Sequence, residues 1–77
     1  MNKERRSQLE KAVSLIDEAM NIIQSCKDDE EAAYENLPEG LQNSERGSQM
    51  QEYIDVMESV CDYLDDQIGE VQGIIES

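Results

Sequence analysis

The sequence predicts an all-α protein: an antiparallel two-helix hairpin that dimerises into a four-helix bundle. Three observations carry that expectation. Apolar residues recur at helical spacing through two long stretches of nearly equal length. The only proline, Pro38, and the first glycine, Gly40, fall between those stretches. The 77 residues include no His and only two Cys, so metal or disulfide stapling of a small core is unsupported.

The first stretch runs from about Asn2 to Leu37 without Gly or Pro. Leu9, Ile16 and Ile23 recur every seven residues, with Ala12, Ala19, Cys26 and Ala33 three further on. Val13, Met20 and Tyr34 lie four further on, and Leu15 and Ile22 widen the stripe. That pattern is an amphipathic helix with a broad apolar face. Lys27–Glu31 (KDDEE) interrupts it, and Asp28 with Glu31 can cap a new helix. Without Gly or Pro there, one continuous or slightly bent helix is expected.

The second stretch runs from about Glu45 to Glu76. Met50, Met57, Leu64 and Val71 form a seven-residue series, with Tyr53, Val60 and Ile74 three positions after members of it. Ile54, Cys61, Ile68 and Ile75 lie four after, giving four consecutive heptads of the kind that pack helix against helix in coiled coils. Gly69 and Gly73 weaken the last turns by about 1 kcal/mol each relative to Ala, which predicts fraying; they also share one outer face that a partner helix can approach closely. In the connection LPEGLQNSERG, Pro38 disfavours helical geometry at Leu37, Gly40 allows a left-handed turn, and Ser44 is an N-cap candidate. Leu37 and Leu41 are the expected apolar plugs. The chain thus reads as one domain over residues 1–77, with helices at about 2–37 and 45–76 and a loop at about 38–44.

A short loop between matched helices of roughly 50 Å implies an antiparallel hairpin. It sets Lys3, Arg5 and Arg6 beside the acidic tail around Glu70 and Glu76. It also puts Cys26 and Cys61 out of register for a bridge, and both read as small buried hydrophobes. A hairpin of this size does not surround its own core. The expected oligomer core is Leu9, Ile16 and Ile23 with Met50, Ile54, Met57, Cys61, Leu64, Ile68 and Val71.

Composition excludes several functions. Six Lys and Arg against nineteen Asp and Glu give a net charge of −13, which disfavours direct binding of nucleic acid or of anionic membranes. No apolar run approaches a membrane span, and the charged start Met1–Arg6 does not resemble a signal-peptide core, so a cytoplasmic location is expected. Without His, and with no activating partner for Ser or Cys, no enzyme is expected. Asp62 with Asp65 or Asp66, and Asp66 with Glu70, are carboxylate pairs on a regular helix without calcium-loop spacing. No metal and no cofactor is expected.

Two features offer binding chemistry. From Gly47 to Ser77 there is no Lys or Arg but eight Asp or Glu residues. Asp55, Glu58, Asp62, Asp65 and Asp66 can imitate the charge of nucleic acid and steer toward a basic groove on another protein; the plainer reading is a solvated face. The second feature is Arg46, the only cation after Lys27, at the predicted N-terminus of the second helix. With Gln42, Asn43, Ser44, Tyr34 and Tyr53 it offers a place for a nucleotide or other phosphate ligand. Alternatively Arg46 pairs with Glu39 or Glu45 and only stitches the turn.

AYENLPEGLQNSERG (Ala33–Gly47), followed by MQEYIDVMESVCDYLDD (Met50–Asp66), resembles small acidic helical proteins of phages and prophages of Gram-positive bacteria, usually of unassigned function. The loop is the distinctive part, the resemblance covers roughly the latter two-thirds of the chain, and it carries over no functional residue. It implies a context in which small non-enzymatic proteins disarm bacterial immunity. The expected function is therefore inhibition of a bacterial antiviral defence system, inside the host cytoplasm, by binding a defence protein with a basic surface. One alternative is a sponge for a cyclic or other phosphorylated nucleotide at the loop end; another is a structural or assembly adaptor of the phage.

Overall fold

The computed structural model describes all 77 residues and is all-helical. It contains α1 (Lys3–Glu35), the single turn α2 (Glu39–Gln42) and α3 (Glu45–Glu76). The two long helices form an extended pair measuring 58 × 15 × 13 Å. Contacts occur in reverse order along the two helices. The Arg6 guanidinium donates to the Ser77 carbonyl at one end, the Cys61 thiol lies 3.8 Å from the Met20 carbonyl near the middle, and Gln42 reaches Tyr34 at the other end. No helix is long and apolar enough to cross a membrane.

Each long helix begins on a side-chain cap. Asn2 Oδ1 accepts the Arg5 N–H at 2.8 Å, and Ser44 Oγ accepts that of Gly47 at 3.4 Å. Capping answers a helix start's need for acceptors, since its first N–H groups have no partner within the helix. α1 passes through Lys27–Glu31 unbroken, helped by an ion pair of 3.6 Å between Lys27 and Glu31 one turn apart. Pro38 does separate α1 from α2, as its ring requires of the residue before it.

Packing is confined to one seam. On α3 the buried residues are Gly47, Met50, Ile54, Cys61 and Ile68, with Met57, Leu64 and Val71 half-buried along the same stripe. On α1 nothing is fully buried; Leu9, Val13, Ile16, Met20 and Ile23 are half-buried along its matching stripe. The ten residues expected in an oligomer core thus fall on the two stripes of a single chain that carry its burial. The accessible surface is 5743 Å², whereas a compact monomer of this mass exposes only about 4,800 Å².

Several expectations are corrected. Gly40 has no positive φ; it sits inside α2 in right-handed geometry, so the turn needs no left-handed residue. Leu37 is half-buried but Leu41 is 48% exposed, so only one of the two plugs the end. Cys61 is buried and Cys26 exposed, both as free thiols, because Cys26 lies off the seam. Lys3, Arg5 and Arg6 form no ion pair with Glu70 or Glu76; Arg6 instead caps the last carbonyl, where a cation suits the helix dipole. α3 remains helical through Gly69 and Gly73 to Glu76.

Gly47 is the tightest point of the fold. A Cβ there would stand 2.1 Å from the Gln42 carbonyl oxygen and 2.8 Å from that of Leu41, both backbone atoms that cannot swing away. Gly47→Ala is expected to cost about 1–3 kcal/mol, as overpacking does. Gly69→Ala and Gly73→Ala, where a Cβ meets nothing within 4 Å, are expected to stabilise by up to about 1 kcal/mol each. Urea denaturation followed by circular dichroism checks both signs, and an Ala at position 47 that stabilises would contradict this packing.

Candidate interaction surface

Three parts of the molecule can meet a partner: an acidic flank of α3, the loop end, and a second apolar stripe. The acidic flank follows from heptad spacing. With 100° per residue, Asp55, Glu58, Asp62, Asp65 and Asp66 fall within an arc of about 100° that flanks the buried stripe, its centre about 120° round the helix from it. All five are exposed, and no Lys or Arg lies within ion-pair distance of any of them. Five charges along about 17 Å of axis approach the density of one nucleic-acid strand, about one per 3.4 Å. The structure thus brings together the five carboxylates singled out in the sequence.

At the loop end the expected ligand residues are dispersed. The Gln42 side-chain amide donates to the Tyr34 and Leu37 carbonyls at 3.2 and 3.3 Å, satisfying the end of α1. Ser44 is likewise engaged, donating its hydroxyl to the Leu41 carbonyl while capping α3. Tyr34, Gln42 and Asn43 line an open depression of about 680 Å³, together with Glu52 and Asp55. No cation borders it. Arg46 lies exposed in a separate shallow groove with Glu45, Ser48, Gln49 and Glu52. It makes no ion pair with Glu39 or Glu45. Tyr53 borders a third depression beside Glu30 and Met57, apart from Tyr34.

The second apolar stripe contains residues that periodicity grouped with the core or passed over. Tyr53, Val56, Val60 and Tyr63 on α3 are 48%, 54%, 38% and 63% exposed, and Leu15 and Ile22 on α1 are 57% and 61% exposed. Val56 and Tyr63 carry no expectation from the heptads counted in the sequence. Their own spacing, 53–56–60–63, is nevertheless a second series of threes and fours, displaced a quarter turn from the first.

The arrangement supplies acceptors and apolar contact, with no aligned nucleophile and base and no group of three or more potential metal-ligating side chains. Comparison with protein-family models, curated proteins and solved structures finds no match to this chain. Gln42→Ala is expected to lower stability by about 1 kcal/mol through the two lost bonds. Arg46→Ala should stay within about 0.5 kcal/mol of the parent, as surface changes do. Denaturation of both variants measures the difference, and an equal loss would show that Arg46 holds the turn.

Proposed function

We propose that this chain is a non-enzymatic, phage-type inhibitor of a bacterial antiviral defence system. It folds as an antiparallel helical hairpin, dimerises into a four-helix bundle, and acts in the host cytoplasm. It binds a basic surface of a defence protein through Asp55, Glu58, Asp62, Asp65 and Asp66. The observation that carries this reading is the strip itself: five exposed carboxylates on one helix face, none paired with a cation of the chain. Charges left unpaired at strand-like density attract a groove built for phosphates, and they accelerate encounter with it. The phage context comes from the resemblance of the loop and heptads.

The nucleotide-sponge reading has less support. The depression holding Tyr34, Gln42 and Asn43 also holds Glu52 and Asp55, which repel a phosphate, and Arg46 stands outside it.

Expression of the chain in a defended Gram-positive host should restore phage plaquing. Asp55→Asn, Asp62→Asn and Asp66→Asn combined should reduce that rescue at least tenfold with the helix content retained. Undiminished rescue by the triple variant would refute the acidic surface as the binding site.

A further inference from the structure

We infer that the exposed apolar stripes of α1 and α3 form one continuous face, and that its occupant is the same face of a second copy, with α1 of each chain packed on α3 of the other. This rests on the dimer proposed above and specifies which face makes it and how it pairs.

Helix geometry puts both stripes on one side. On α1, Leu15, Ala19 and Ile22 sit about 100° behind the half-buried series Leu9–Val13–Ile16–Met20–Ile23. On α3, Val56, Val60 and Tyr63 sit about 100° behind Met50–Ile54–Met57–Cys61–Leu64, in the same rotational sense. Viewed along the pair, α1 and α3 run in opposite directions, as the Arg6–Ser77 and Met20–Cys61 contacts require. Equal rotations on opposed helices point to the same side of the pair. The two stripes therefore share one face; Asp55, Glu58, Asp62, Asp65 and Asp66 lie off it, while Glu52 and Glu30 border it beside Tyr53 and Val56.

The size of that face suits a second copy. The pair is 58 Å long and 15 Å wide, a footprint of the order of the ~800 Å² per partner of a stable interface, and exposed apolar side chains occupy about 32 Å of that length, from Tyr53 to Ile74 on α3. The chain's accessible surface of 5743 Å² exceeds that of a compact monomer by roughly 1,000 Å². A symmetric second copy covers the whole length at once and closes a four-helix core.

Side-chain size and charge choose the pairing. The Met20–Cys61 contact sets Ile22 level with Val60 and Ala19 level with Tyr63. A two-fold axis along the bundle keeps those heights and turns α1 toward the second copy's α3, so small Ala19 meets large Tyr63. A two-fold axis across the bundle lays α1 on α1 and α3 on α3, and where it passes at that level it sets alanine against alanine and tyrosine against tyrosine. It also lays α3, with eight carboxylates and no cation after Gly47, against its own copy, which like-charge repulsion opposes. The first arrangement is the one assigned.

The test uses Ile22→Lys and Val60→Glu, made separately in the full chain. Both side chains are exposed, so circular dichroism should show the helices retained. By light scattering at micromolar concentration the parent should have twice the 8.8 kDa chain mass. Each variant alone should be monomeric, its self-affinity reduced at least tenfold. Their equimolar mixture should recover the dimer, because the introduced lysine of one chain then meets the introduced glutamate of the other. Single variants that remain dimeric would overturn the face, and a mixture that stays monomeric would overturn the pairing; in both cases a dimeric parent leaves the dimer itself standing. A monomeric parent would refute the proposed dimer as well.

Discussion

Two helices lying side by side touch along a single seam, and that seam limits all the burial this chain achieves within itself. Met50, Ile54, Cys61 and Ile68 are the only buried hydrophobic side chains, and all four belong to α3. Their partners on α1 are no more than half-buried. Hydrophobic burial is the main favourable term in folding, at about 25 cal/mol per Å² of apolar area. A rod with so narrow a core leaves its second stripe uncovered, and the proposed dimer is what would cover it. The loop, the charged flank and the apolar face take their significance from this.

The loop holds the seam in register at one end. Pro38 stops α1, Gln42 satisfies the carbonyls that the stop exposes, and Ser44 restarts the chain as α3. Gly47 then permits α3 to pass under the α2 backbone at a distance no side chain would allow. Polar groups here are used to complete the helix ends. That is why the loop's hydrogen-bonding residues, attractive in sequence as a ligand site, are largely committed to structure.

Much of this was legible from spacing. The seam, the two long helices, the Ser44 cap and the acidic flank of α3 all follow from periods of three and four and from Pro38. The division of apolar residues between two stripes was not, because adjacent stripes on one helix merge into one broad face until a neighbour chooses between them. Cys26, Leu15 and Tyr53 fell on the side the neighbour did not take. The close approach at Gly47 depends on the path of α2, and the partner of Arg6 on where α3 ends against α1. Neither leaves a periodic trace.

In the proposed dimer the apolar face would serve assembly and the acidic flank recognition, since one can be covered while the other stays open. Folding completed by association would link stability to concentration. Thermal unfolding by circular dichroism across a hundredfold range of protein concentration tests it most directly. The midpoint should rise steadily with concentration. A midpoint that does not move would show that the single helix pair is sufficient on its own and would contradict this account.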